Sequence, residues 1–167
     1  YLSIGQDFGF NHANCILLLA NKDDDIYILR ELYLYEKTTD EIIGLAEGKF
    51  PKNIIMYCDS AEADRIKMFR KAGYKALAVK KEKGGPNVYI NNQINWLKER
   101  RIFIHPSCTN TIKELGQWKW KFDDRRSIYL DEPVNFFDDA IAALRYGVEP
   151  WRKTRGLVTF NKRKLGL

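Results

Sequence analysis

The chain has 167 residues, of which 45% are apolar, 13% aromatic and 30% charged; this suits one soluble domain with a sizeable core and excludes disordered, collagen-like and disulfide-stapled classes. Its 28 basic and 22 acidic residues leave a net charge of +6, and the whole surplus sits in residues 151–167, where Arg152, Lys153, Arg155, Lys162, Arg163 and Lys164 meet no acid. The expected division is therefore a neutral domain over 1–150 and a basic tail over 151–167, and a basic segment points to a polyanion, nucleic acid ahead of an anionic membrane surface.

Along the chain, Leu2 to Phe8 reads as a buried strand, with Asn14 to Ala20 and Ile26 to Tyr35 following across short turns as an antiparallel meander. Thr39 to Ala46 reads as a short capped helix, and Lys52 to Cys58, with Ile54-Ile55-Met56, as a buried parallel strand. Ser60 is the expected cap of a helix closed near Ala72 by Gly73. Tyr74 to Val79 is the next strand, Val88 to Arg101 a helix, Ile102 to Ile104 a strand and Cys108 to Leu115 a helix. Trp118 to Phe122 and Ser127 to Leu130 alternate as a hairpin, and Pro133 and Asn135 are expected to start a last helix with Phe137, Ala140, Ile141, Leu144 and Val148 on its apolar stripe. The pattern predicts an α/β fold: a mixed sheet of three antiparallel strands followed by parallel strand-helix units, with helices on both faces. A right-handed crossover places the fourth strand beside the first, so their C-terminal ends meet where such sheets bind ligands.

Cys15, Cys58 and Cys108 form no CxxC pair, which speaks for a reducing compartment and against a thiolate metal site. No apolar run nears the roughly 20 residues that span a bilayer, so no membrane partner is expected. The missing initiator Met leads us to expect a piece of a longer protein.

The acids carry the chemistry. Asp7 interrupts the apolar Ile4-Gly5-Gln6-Asp7-Phe8, Asp59 follows directly on the second strand of the pair, and Asp138-Asp139 open the last helix. A carboxylate inside a buried strand is expensive unless paired, hydrogen-bonded or bound to a cation. Converging carboxylates without matching buried cations point to metal, oxygen ligands favour Mg²⁺ or Mn²⁺, and His12 and His105 stand in no zinc-type spacing. Two ions roughly 3.5 to 4 Å apart would suit phosphodiester hydrolysis. Plainer readings stand beside these: Asp59-Ser60 as turn and cap, Asp138 and Asp139 as acids favoured in a helix's first turn, and Lys80, Lys81 and Lys83 as a solvated loop in place of phosphate contacts.

In order along the chain, Gly5-Gln6-Asp7-Phe8-Gly9-Phe10, Tyr57-Cys58-Asp59-Ser60-Ala61-Glu62, the loop from Lys80-Lys81 to Gly84, Ile102-Phe103-Ile104-His105-Pro106 through Glu114-Leu115, Trp118-Lys119-Trp120-Lys121 and Asp138-Asp139-Ala140-Ile141-Ala142-Ala143-Leu144-Arg145-Tyr146 resemble one family. It is the C-terminal nuclease domain of the large terminase subunit of tailed bacteriophages. The resemblance extends over nearly the whole chain. It implies an RNase H-like fold and an endonuclease that uses two Mg²⁺ or Mn²⁺ ions to cut double-stranded concatemeric viral DNA during genome packaging, in the cytoplasm of the infected bacterial host. Implied partners are the DNA, an N-terminal ATPase domain of the same polypeptide, the portal and the small terminase subunit; this chain carries no GxxxxGK[ST] loop.

Carried over by residue, Asp7 is the first-strand ligand and bridge between ions, Asp59 the second-strand ligand and Asp139 the helix ligand, with Asp138 as its substitute. Lys80, Lys81 and Lys83 would hold the DNA backbone, and Arg152, Lys153 and Arg155 would add weaker contacts. One departure stands out: Ala142 occupies the place where a common form of the helix motif has Asp. Two other readings stay open, a Holliday-junction resolvase or RNase H-type nuclease of the same superfamily, and a nucleic-acid-binding module with a degraded site.

Overall fold

The computed structural model describes residues 1–80, 85–117, 120–123, 125–126, 128–133 and 138–152. Its first three strands form the expected meander: β1 (Leu2–Asp7), β2 (Asn14–Lys22) and β3 (Asp25–Leu34) pair antiparallel. The β2–β3 turn can be tight because Asp23 and Asp24 both take left-handed φ, 54° and 65°, a region Asp tolerates better than most residues. α1 (Thr39–Ala46) opens on a capping box, in which Glu41 N donates to Thr38 Oγ1 and Thr38 N donates to the Glu41 carboxylate.

Strand-helix units follow: β4 (Ile55–Cys58), α2 (Ala63–Lys71), β5 (Lys75–Ala78), α3 (Pro86–Lys98), β6 (Ile102–Ile104) and α4 (Thr109–Gln117). Beyond the C-cap of α2, Gly73 sits at φ 91°, where glycine meets no steric penalty. The start of α2 departs from expectation. Its N-cap is Glu62, not Ser60, because residues 59–62 form a turn in which Ala61 N donates to the Asp59 carboxylate at 3.1 Å. α3 begins at Pro86, two residues before the expected Val88, since the fixed φ of proline suits a first helical position.

β7 (Trp120–Asp123) and β8 (Ile128–Pro133) make a separate two-stranded sheet. Pro133 thus ends a strand, and the last long helix, α5, runs over Asp139–Gly147, followed by α6 (Glu149–Arg152). Asn135 and Phe137 of the expected helix, like Lys81, Lys83, Lys153 and Arg155, lie outside the described residues.

The main sheet has the order β5-β4-β1-β2-β3-β6. β4 lies parallel beside β1, as the crossover argument requires, with β5 parallel beyond it; β6 adds parallel to β3 at the far edge, a pairing the sequence did not suggest. Both faces carry helices. Ile4, Phe8, Ile16 and Met56 pack with Ile42 of α1 and Ile66 and Phe69 of α2, while Leu17, Leu19, Ile26 and Ile28 pack with Leu97 of α3 and Ala140 and Leu144 of α5. β1 is a central strand with α5 on one side, and that contact sets up the site.

Candidate metal centre

α5 lies on β1 with backbone against backbone. Ser3 Oγ donates to Gly147 O at 2.6 Å in a buried contact, and a Cβ on Gly5 would run into Ala143 O. The two elements advance almost in step. Two strand residues rise about 6.7 Å and four helical residues about 6 Å, so Ser3 at Gly147 and Gly5 at Ala143 bring Asp7 to Asp139. Strand alternation turns Asp7 to the same face as Ser3 and Gly5.

One oxygen from each of Asp7 and Asp139 and one ring nitrogen of His12 lie within 4.8 Å of one another, and His12 Nδ1 is 2.6 Å from Asp139 Oδ1. Ligand atoms about 2.1 Å from one octahedral ion stand about 3 Å apart when adjacent and about 4.2 Å when opposite. The three groups therefore fit a single divalent cation with small adjustments. Asp139 and not Asp138 is the helix acid of this group; Asp138 is the N-cap of α5 and makes no side-chain capping bond. Asp59 stands outside the three. The parallel register Gln6↔Cys58 puts it one step on, opposite Asp7, and it takes the Tyr146 hydroxyl as a hydrogen-bond partner.

Charge is concentrated here. Burial, then the Asp139 carboxylate, push Asp7 well above the usual carboxylate range; the Arg145 guanidinium opposes this, and Asp59 and Asp138 add to it. Burial and Asp139 likewise raise Asp138, again against Arg145. Arg145 is buried, donates to Gln93 Oε1 at 2.9 Å and so is fixed in place by α3.

A second layer holds Asp139. Tyr33 OH donates to Glu114 Oε1 at 2.6 Å and lies 3.3 Å from Asp139 Oδ2. The other oxygen of Glu114 accepts Ala140 N at 2.8 Å and Ile141 N at 3.2 Å, which satisfies the first turn of α5 from a different helix. Burial raises the Glu114 carboxyl, and the hydroxyl and these two N–H groups pull it back.

His12, Glu114, Tyr33 and Arg145 were not singled out from the sequence as site residues. The signal for His12 was its place in the Gly9-Phe10-Asn11-His12 turn straight after Asp7; for Arg145 it was a lone charge within the apolar run Ala140-Ile141-Ala142-Ala143-Leu144 to Tyr146. Of the basic residues, Lys80 is exposed just past the C-terminal end of β5, on the rim shared with Asp7 and Asp59. Arg152 is not on a solvated tail: its guanidinium pairs with Glu149 at 2.7 Å inside α6, with 8% of the side chain exposed.

No protein-family model matches the chain. Over 162 residues it is 25% identical to the PBSX phage terminase large subunit of Bacillus subtilis (strain 168), an alignment that takes in 95% of the chain but 36% of that protein. Among solved structures, it superposes on the large terminase nuclease domain of bacteriophage SPP1 with bound Mn at a TM-score of 0.79, 18% identity, and coverage of 89% of this chain and 85% of that one. The P22 large terminase nuclease domain gives 0.71 at 21% identity, covering 91% and 81%. The nuclease of thermophilic phage G20c with bound magnesium gives 0.57 at 18%, covering 87% and 79%. The chain thus has the RNase H-like α/β fold of the large terminase nuclease domains.

Proposed function

We propose that the chain is a metal-dependent endonuclease, the nuclease domain of a large terminase subunit, which hydrolyses phosphodiester bonds of double-stranded DNA. The observation that carries this reading is the meeting of Asp7 with Asp139 and His12 at the C-terminal end of β1, on a fold shared with terminase nuclease domains solved with Mn and magnesium.

Asp7, Asp59 and Asp139 would hold Mg²⁺ or Mn²⁺, and a cation bound there supplies Lewis acidity toward a phosphodiester and a water. The chain's own residues set the geometry. Asp7 is flanked by Asp59 across the β1–β4 register and by Asp139 across the seam to α5, so it would be the ligand common to both carboxylate pairs. Tyr33 and Glu114 orient Asp139, and Arg145 offsets part of the negative charge. Lys80, with Lys81 and Lys83 after it, would contact backbone phosphates, which gives sequence-tolerant, salt-sensitive binding; Lys153 and Arg155 would add to this from the basic tail of 151–167.

The chain spans about a third of the length of the PBSX relative. On that likeness rest the finer parts of the reading: cutting of concatemeric viral DNA during packaging, in the host cytoplasm, by residues 1–150 acting as the nuclease domain behind an ATPase domain and alongside the portal and small subunit. No described helix is long and apolar enough to cross a membrane.

The test is cleavage of a supercoiled plasmid with Mn²⁺ by the native chain and by Asp7→Ala. Cutting by the native chain alone is expected; no cutting by either would sink the nuclease reading and favour a binding module. Asp59→Ala and Asp139→Ala should also abolish cutting. Loss of activity in Asp138→Ala but not in Asp139→Ala would move the helix ligand. Lys80→Ala should weaken DNA binding on every sequence and lower the salt slope by about 1.

A further inference from the structure

We propose that His12 is itself a metal ligand, a nitrogen donor supplied by the β1–β2 loop in place of the acid that α5 lacks at Ala142. The proposal rests on the reading of the site as a metal centre and goes beyond its three carboxylates.

Past Asp139 the helix offers no second carboxylate. Ala142 is buried and packs with Val79 and Tyr146 against Tyr57, so the turn of α5 that follows Asp139 faces an apolar cluster. The nitrogen arrives from the opposite side. At Gly9 the loop doubles back so tightly that a Cβ would meet the carbonyl oxygens of His12 and Ala13, and only glycine allows that approach.

The loop is also fixed at several points. Phe8 and Ala13 are buried in the core, Arg65 donates to Gly9 O at 3.4 Å, and Glu36 N donates to Phe10 O at 3.0 Å. His12 is therefore carried on a braced loop, with Nδ1 held 2.6 Å from Asp139 Oδ1. An exposed His–Asp pair alone contributes little to stability, and it would not require Asp7 within the same 4.8 Å. Two carboxylates and an imidazole converging on one point have the make-up of a mixed oxygen and nitrogen ligand set.

The chain has two histidines, which makes the test direct. Mn²⁺-loaded protein is examined by pulsed electron paramagnetic resonance for hyperfine coupling to an imidazole nitrogen, and Mn²⁺ affinity is measured by calorimetry. The native chain and His105→Ala should both show the nitrogen coupling, and His12→Ala should lose it. Affinity in His12→Ala should fall about 10- to 100-fold, at least what loss of an outer-shell partner costs, and His12→Asp should recover affinity without the nitrogen signal. Coupling that is absent from the native chain, or that survives in His12→Ala, overturns the proposal while leaving the carboxylate site standing. Failure of the native chain to bind Mn²⁺ any better than Asp7→Ala overturns the metal-centre reading itself.

Discussion

The two ends of the seam between β1 and α5 are built on opposite principles. At Gly5 the strand and helix touch through backbone atoms with no room for a Cβ, and beside it the Ser3 hydroxyl makes a buried hydrogen bond to Gly147 O. At Asp7 and Asp139 the same two elements present like charges to each other. The contrast shows how an unfavourable arrangement is kept. The carboxylates would spread apart if either element could shift, and the close-packed end removes that freedom.

The largest effect is expected where the seam is tightest. In Gly5→Ala the new methyl meets a helix carbonyl, which cannot turn aside as a side chain can, so α5 must lift from β1. Overpacking of this kind commonly costs about 1–3 kcal/mol and occasionally more; we expect a loss at or above the top of that range by urea unfolding, together with loss of Mn²⁺ binding. A loss below about 1 kcal/mol, the bottom of the range, would show that α5 is free to move and that the charged end needs no clamp. Arg145→Met comes next. It strips Gln93 Oε1 of a buried donor and removes the cation that opposes the raised Asp7 and Asp138 carboxyls, so about 2–3 kcal/mol should be lost in chelator.

The sheet was far more legible in the sequence than the seam between β1 and α5. Alternation, turn residues and the apolar run through Met56 predict the meander and the parallel pair, because those signals are local. Asp7 was legible as well, since an acid inside an apolar strand is costly without a partner or a cation. The start of α5 was not, although that of α4, expected at Cys108, falls at Thr109. α5 takes its partner from Glu114 of α4. A cap supplied by another element leaves no local motif, so α5 was expected to begin at Pro133 or Asn135. His12 was hidden for the same reason, since it meets Asp139 across 127 residues.

Two smaller effects probe the charged end alone. Asp7→Asn replaces a carboxylate pressed against Asp139 with an amide able to donate to it, so the metal-free chain should gain about 1 kcal/mol. Thermal unfolding in chelator checks this, and Mn²⁺ should then raise the Tm of the native chain but not of the variant. An unchanged or lower Tm would mean that the carboxylates are not in conflict when the metal is removed.

Tyr33→Phe is the smallest change and separates holding the fold from holding the ligand. The hydroxyl lies between Glu114 and Asp139, so its removal leaves Glu114 Oε1 without that donor, while the other oxygen still accepts from the first turn of α5. The helix start is retained, and stability should fall by only about 1 kcal/mol, the usual contribution of one hydrogen bond. Mn²⁺ affinity should fall about tenfold, because a ligating carboxylate has lost the partner that orients it. Combining Tyr33→Phe with Glu114→Gln should cost less than the two single changes added together, since each breaks the same bond. Strict additivity, or a stability loss with unchanged Mn²⁺ affinity, would reduce Tyr33 and Glu114 to a helix cap and leave Asp139 to be positioned by the β1–α5 seam alone.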